Sequence, residues 1–213
     1  MICGVDEAGK GPVMGPMVIA AVSVKNAQTI KNLGFKDSKL LSSKKRKELF
    51  ELIKEKYEYE IEIIEPEKID EYRKRNKLNL LNRKAFEKVI SNLNPDIAYV
   101  DAADVNEERF GRDIKNNLTN EKKTDVISMH KADAKIPVVA AASIIAKQTR
   151  EIEIEKLKSE IGDFGSGYPS DERTIKFLKS YFHDNSEWPT GTRKSWKTIQ
   201  RIRPVRKLTD YGD

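Results

Sequence analysis

Apolar and polar positions repeat with a period of two over several short stretches and with a helical period over longer ones. The two patterns follow one another along the chain, which is typical of a mixed α/β domain. Strands are predicted at Ile2–Val5, Val18–Val24, Tyr57–Ile64, Ile97–Val100 and Thr124–Met129. Helices are predicted at Ser42–Lys56, Pro66–Arg75, Asn79–Leu93, Asn106–Leu118, Pro137–Ile161, Asp171–Phe182 and Arg193–Arg203.

A glycine-rich stretch, Gly165–Ser170, interrupts the pattern after the long predicted helix. It divides the chain into a core of residues 1–161 and a smaller helical appendage of residues 162–213. The boundary is soft, because glycines in Gly162–Ser170 are also suited to a binding site.

Composition narrows the class of protein. The 213 residues include 40 Lys and Arg against 34 Asp and Glu, and the net charge of +6 favours anionic partners, chiefly nucleic acid. A single cysteine, Cys3, excludes an intrachain disulfide framework. No apolar run approaches the ~20 residues of a membrane span, so we expect no membrane contact. We also expect a cytoplasmic protein that is a monomer.

Acidic residues follow three of the predicted strands. Asp6 and Glu7 come directly after the first, Asp101 ends the fourth, and Asp133 follows the fifth. Mg²⁺ and Mn²⁺ prefer such carboxylate oxygens, and two of these ions about 4 Å apart can activate water against a phosphodiester. Adjacent strand residues face opposite sides, so Asp6 and Glu7 can share a site only if the chain kinks or Glu7 lies beyond the strand pairing. Asp101 alone could equally be a turn or cap residue.

A nucleotide cradle is a competing interpretation of the same segment. Gly4 to Lys10 spells G-x-x-x-x-G-K, which is most of a P-loop. However, Gly11 stands where the hydroxyl residue that binds Mg²⁺ should be, and Asp6 and Glu7 would place two negative charges inside a phosphate cradle. The metal site accommodates these residues better.

Seven motifs in order make the chain recognisable. They are Asp6–Pro12, Gly15–Val18, Asp37–Lys39, Asp101–Val105, His130–Asp133, Ala141–Lys147 and Gly165–Asp171. Together they closely resemble ribonuclease HII, the type 2 ribonuclease H, in its archaeal form. The resemblance covers Ile2 to about Ile202 and implies a ribonuclease H-like fold, with a central mixed β-sheet flanked by helices and a small C-terminal helical appendage. It also implies a metal-dependent endonuclease that cleaves the RNA strand of RNA/DNA hybrids and at ribonucleotides embedded in DNA, leaving 5′-phosphate and 3′-hydroxyl ends.

The resemblance also implies roles for individual residues. Asp6, Glu7, Asp101 and Asp133 would form the catalytic set that holds Mg²⁺ or Mn²⁺. Gly9, Lys10 and Gly11 would read the ribose 2′-hydroxyl, Tyr168 would pack on the sugar at the RNA–DNA junction, and Ser38 and Lys39 would lie near the DNA strand. The chain departs from the family in Lys10, where arginine is more common, and in Leu40, where a second lysine is common.

Further substrate contacts follow from the residues themselves. Ser143 and Lys147 lie one helical turn apart and are predicted to face the nucleic-acid backbone, although Ser143 also suits packing among alanines. Arg193, Lys194 and Lys197 surround Trp196, as in a nucleic-acid-binding appendage, although a tryptophan in the core with exposed lysines fits the same pattern. His130 suits either proton transfer or a hydrogen bond at a strand end.

One negative expectation concerns the C-terminal stretch, and one rival function concerns the acids. Some archaeal relatives end in a sliding-clamp-binding box, and Lys207–Asp213 is not recognisable as one. A hybrid-binding protein without catalysis is the rival, which the complete set of four acids argues against.

Overall fold

The computed structural model describes residues 1–26, 30, 42–119 and 121–203. The predicted DNA-strand contacts Ser38 and Lys39, the departure at Leu40 and the stretch Lys207–Asp213 lie outside this part. None of the helices in these ranges combines the length and the apolar composition that a membrane span requires.

Five strands form one mixed sheet. They are β1 (Ile2–Ala8), β2 (Met17–Val24), β3 (Glu58–Ile64), β4 (Ile97–Asp101) and β5 (Asp125–Met129). The spatial order is β3-β2-β1-β4-β5. β1 pairs antiparallel with β2 and parallel with β4, while β2–β3 is antiparallel and β4–β5 parallel. Because β1 and β4 are parallel neighbours, the acids near their carboxyl ends, Asp6 and Asp101, meet at one edge of the sheet.

Eight helices of the described residues surround this sheet. They are α1 (Ser43–Lys56), α2 (Pro66–Lys74), α3 (Leu78–Leu93), α4 (Glu107–Asn117), α5 (Ala132–Lys135), α6 (Pro137–Ile161), α7 (Glu172–Asn185) and α8 (Lys197–Ile202). All predicted strands and long helices are present, and the predicted α/β class with a central mixed sheet is confirmed. The four-residue helix α5 is too short to give a periodic signal and was not predicted.

Each face of the sheet has its own apolar cluster. On one face α3 and α4 pack together, with the Phe86 and Phe110 rings edge to face at 5.3 Å. Phe164 and Leu178, from beyond residue 161, belong to the same cluster. The division at residue 161 stays a prediction, and the described part of the appendage shares its core with the sheet.

The long helix α6 covers the other face. Its N-terminal half is apolar on all sides and buried, because it lies between the sheet and α1. Gly4 of β1 lets it approach closely, since a Cβ at this position would overlap the backbone of Val138. This contact fixes the distance between α6 and the strand that carries Asp6.

Candidate active site

Three carboxylates converge at the carboxyl ends of β1 and β4. Val5 of β1 pairs with Val100 of β4, so Asp6 and Asp101 occupy the next positions of neighbouring parallel strands and share a face. Asp133 reaches them from α5. One carboxylate oxygen from each of these three residues lies within 4.8 Å of the others. The structure therefore brings together three of the four predicted acids.

Burial and mutual repulsion control the charge of this cluster. Asp6 and Asp133 are buried, and Asp101 is half-buried. Burial, with the nearby charge of Asp101, raises the pKa of Asp6 from 3.8 to about 7. The Ser143 hydroxyl and the Glu7 N–H, which donates to Asp6 Oδ1 at 2.7 Å, act in the opposite direction. Three hard oxygen donors that repel one another fit a divalent cation, because its charge would relieve the repulsion.

Glu7 lies apart from this cluster. β1 stays paired with β2 through Glu7↔Ile19 and Ala8↔Val18, so the strand does not kink and Glu7 faces the side opposite Asp6. Its carboxylate accepts a hydrogen bond from Asn82 of α3 and lies 3.9 Å from Lys10 Nζ. Burial raises the pKa of Glu7, Lys10 and Asn82 lower it, and the charge of Asp101 raises it. Metal binding by Glu7 stays a prediction.

The Gly9–Gly11 loop follows β1 directly. Gly9 has a φ of +82°, and a Cβ there would overlap the Arg150 side chain. Lys10 Nζ donates to the carbonyl of Ala103, which ties the loop to the segment after Asp101. The following residues lead into β2 rather than into a helix, whose N-terminus a phosphate cradle requires. The fold therefore does not support the P-loop interpretation.

Arg193 holds this loop from inside the protein. Its side chain is fully buried, and its guanidinium donates to the carbonyls of Gly15 at 3.0 Å, Lys10 at 3.1 Å and Gly9 at 2.6 Å. The prediction that Arg193 contacts substrate phosphate does not fit this position, because no part of the side chain reaches solvent. Its role here is to position the loop.

A second buried arginine supports the segment between this loop and β2. Arg150 of α6 donates to the carbonyls of Pro16 at 3.3 Å and Met14 at 3.1 Å, and its guanidinium lies 5.5 Å from the centre of the Tyr168 ring. Burial lowers the pKa of both Arg150 and Arg193. Sequence reasoning missed Arg150, because one cation in a long helix looks like a solvated residue.

Tyr168 lies in a cleft beside the loop. The cleft has a volume of about 520 Å³, and its lining includes Glu7, Gly9, Lys147, Arg150 and Tyr168. The segment that carries Tyr168 is fixed by Val13 N–H, which donates to the carbonyl of Gly167 at 2.8 Å. The tyrosine side chain keeps 41% of its surface exposed. The structure thus brings the loop, Tyr168 and Lys147 together.

The remaining predicted residues take separate positions. Ser143 is buried beside Asp6 rather than exposed in the cleft, whereas Lys194 and Lys197 are exposed. His130 stands at the end of β5, where its N–H donates to Glu107 at 2.6 Å and its ring Nε2 lies 3.2 Å from the carbonyl of Val105. This matches the strand-end alternative for His130.

A mixed sheet with three acids at neighbouring strand ends beside a glycine loop defines a nuclease that works with divalent cations. The family model described as Ribonuclease HII matches residues 3–199. A Ribonuclease HII of Methanosarcina barkeri is 48% identical over 219 residues, which cover 98% of each chain. The chain belongs to the ribonuclease HII family, and it is a ribonuclease H endonuclease.

Solved structures agree with this assignment. An RNase HII from Archaeoglobus fulgidus, whose structure is that of a PCNA:RNase HII complex, is 43% identical over 99% of this chain and all of that one, with a TM-score of 0.87. The predicted absence of a clamp-binding segment is therefore without support. Bst-RNase HIII in complex with Mn²⁺ shares the fold, at 22% identity over 94% of this chain and 68% of that one, with a TM-score of 0.73. The predicted ribonuclease H-like fold is confirmed.

Proposed function

We propose that this enzyme hydrolyses the RNA strand of RNA/DNA hybrids and also cuts at single ribonucleotides embedded in duplex DNA, leaving 5′-phosphate and 3′-hydroxyl ends. One observation carries the proposal. The buried carboxylate cluster of Asp6, Asp101 and Asp133 lies at the sheet edge where the Gly9–Gly11 loop begins. A group that cleaves phosphodiesters and a backbone that can recognise ribose are therefore adjacent.

The acids would hold Mg²⁺ or Mn²⁺, with Asp6 and Asp101 central and Asp133 and Glu7 completing the set. When bound, these ions activate water and neutralise the charge that develops on the phosphate. The protein contributes the arrangement of the ligands. Ala132 N–H donates to Asp101 Oδ1 at 3.2 Å, and Glu7 N–H holds Asp6, so both carboxylates are oriented before a cation arrives.

Recognition of ribose rests on the Gly9–Gly11 loop. A side chain at Gly9 would overlap Arg150, so the loop can pack here only with glycine, and Gly11 lies beside open space that a sugar can enter. The three hydrogen bonds from Arg193 and the bond from Lys10 fix the loop. A fixed backbone can bind a 2′-hydroxyl without the entropic cost of ordering on substrate binding.

Tyr168 would detect the sugar that follows the ribonucleotide. Its ring is exposed in the cleft that contains Gly9, and the Arg150 guanidinium supports it from behind. A flat ring packs closely on a deoxyribose, whereas a 2′-hydroxyl at that position would hold it off. Lys147, in the same cleft, would meet the phosphate backbone, as would Ser38 and Lys39.

The test uses a labelled duplex with one ribonucleotide, an all-DNA duplex of the same sequence and a long RNA/DNA hybrid. We expect cleavage of the first and third with Mg²⁺ or Mn²⁺ and none with a chelator. End analysis should give 5′-phosphate and 3′-hydroxyl products. Cutting of the all-DNA duplex, or cutting that survives chelation, would contradict the proposal.

The same test is applied to Asp101→Asn, which keeps the size of the Asp101 side chain and removes its charge. We expect cleavage to fall by orders of magnitude while hybrid binding persists, since Lys and Arg contacts supply most of the affinity. A protein that bound hybrids but did not cleave them with any divalent metal would instead be the non-catalytic binding protein considered above.

A further inference from the structure

A second groove lies on the side of the turn between α2 and α3. Its volume is about 430 Å³. It is lined by two cations, three amides, one hydroxyl and one leucine, namely Arg73, Lys74, Asn76, Asn79, Gln200, Ser195 and Leu78. No carboxylate belongs to this lining. The groove therefore offers hydrogen-bond donors and positive charge, which suits an extended anion.

One indole ring connects this groove to the ribose-reading loop. Trp196 Nε1 donates to the carbonyl of Gly11 at 3.1 Å. On the groove side, the Arg73 guanidinium stacks over the Trp196 ring at 4.2 Å, and Arg73 Nε donates to the carbonyl of Ser195 at 3.3 Å. Trp196 thus links the groove wall to the Gly11 end of the loop, whereas the Tyr168 cleft lies at the Gly9 end.

Asp70 of α2 locks the two walls of the groove together. Its buried carboxylate accepts hydrogen bonds from Lys194 N–H at 2.7 Å, Ser195 N–H at 3.0 Å and Ser195 Oγ at 2.5 Å. The Asp70 carboxylate lies behind the groove lining, and its oxygens are occupied by these hydrogen bonds. The hydrogen bond to its N–H holds Lys194 beside α2, and the exposed side chain of Lys194 adds positive charge to this surface.

Four exposed lysines belong to the segments that form the groove. Lys74 lines it, and Lys77 stands between the lining residues Asn76 and Leu78. Lys194 precedes Ser195 and lines the neighbouring pocket, which shares Gln200, and Lys197 begins the helix that carries Gln200. Among the described residues, none of the four forms an ion pair with a carboxylate. Arg75 of the same turn differs, because it pairs with Glu71 at 3.3 Å. Four exposed lysines without acidic partners therefore lie in or next to the groove.

We propose that the α2–α3 turn is a second phosphate-binding element, in which Lys74 and Lys77, together with Lys194 and Lys197, hold the substrate duplex beyond the Gly11 end of the loop. The inference rests on the nuclease function proposed above and adds to it a contact remote from the cleaved bond. Phosphate is the group recognised, so the contact is independent of sequence and sensitive to salt.

Binding measurements in the presence of a chelator test this element without cleavage. The variant is Lys74→Gln/Lys77→Gln, and the control is Lys25→Gln/Lys56→Gln, whose two exposed lysines lie beside Met1 at the opposite end of β1. The ligands are a long duplex with a central ribonucleotide and two duplexes truncated next to the ribonucleotide, one on each side. Affinity is measured by fluorescence anisotropy over rising salt.

We expect the variant to bind the long duplex about tenfold more weakly, with a slope of log affinity against log salt smaller by about 2, as two lost phosphate contacts require. The control should match the unmodified protein. Truncation on one side should abolish the difference between variant and unmodified protein. Unchanged affinity and slope, an equal loss in the control, or an equal loss on all three duplexes would overturn the proposal. Failure of the unmodified protein to cleave with metal would instead overturn the proposed function.

Discussion

Replacement of Asp6 by Asn should stabilise the protein when no metal is bound. Asp6 carries a pKa of about 7 against an ordinary value of 3.8, because its charge is buried and lies beside Asp101. The folded state therefore holds this proton more tightly than the unfolded state does. Stability from Asp6 is complete below pH 3.8 and is lost as pH rises to about 7.

The size of the effect follows from the same shift. One pKa unit corresponds to about 1.4 kcal/mol, so ionised Asp6 costs the metal-free protein about 4 kcal/mol above pH 7. An asparagine keeps the hydrogen bond from Glu7 N–H but also has a buried amide to satisfy, so part of this gain will be lost. A net gain of about 2 kcal/mol would raise Tm by about 4–8 °C in a chain of this size.

Thermal unfolding in a chelator at several pH values measures this effect. Asp6→Asn should exceed the unmodified protein most at pH 8, and the advantage should shrink steadily towards pH 3.8. Added Mn²⁺ should stabilise the unmodified protein more than the variant. Asp184→Asn, at an exposed carboxylate of α7, is the control and should change Tm little. An Asp6→Asn protein that is equally stable or less stable at pH 8 would refute the reasoning.

Three further predictions concern the residues around the site. Arg193→Lys loses at least two of three buried hydrogen bonds, so it should lower the free energy of unfolding by about 2–5 kcal/mol and impair cleavage, with no change in the salt slope of hybrid binding. Lys194→Gln/Lys197→Gln should instead leave Tm unchanged and reduce the salt slope of hybrid binding by about 2. Equal effects of this variant and Arg193→Lys on Tm and slope would contradict the separate roles of these residues. Tyr168→Ala should reduce cleavage at a single ribonucleotide by about 10- to 200-fold relative to a long hybrid, and an equal loss on both substrates would show that it supports the site only generally.

The sequence predicted best those features that depend on residues close together along the chain. Alternation located β3 and short apolar or strand-like runs located the other four strands. Asp6 and Asp101, at strand ends, were expected together and are found together. The direction of Glu7 depended on how far β1 stays paired. That depends on β2, and no pattern within the first ten residues reveals it.

Long-range contacts to backbone carbonyls could not be predicted. Arg193 stands among exposed lysines and next to a tryptophan, which is also the pattern of a nucleic-acid-binding surface. Its burial depends on three carbonyls that lie 178 to 184 residues earlier, and carbonyls carry no residue-specific signal. Asp70 was missed for the same reason, because it accepts hydrogen bonds mainly from the backbone of a distant segment.

The distance along the chain between the Gly9–Gly11 loop and Arg193 has a consequence for biosynthesis. Arg193 is made 183 and 184 residues after the two loop carbonyls that it binds, a delay on the order of 10–40 s at ordinary translation rates. A nascent chain, or a fragment that stops before Arg193, contains all four acids but not the side chain that fixes the loop. The loop proposed to recognise ribose is thus anchored only after Arg193 has been made, so a chain interrupted before this residue has the carboxylate cluster without the anchored loop.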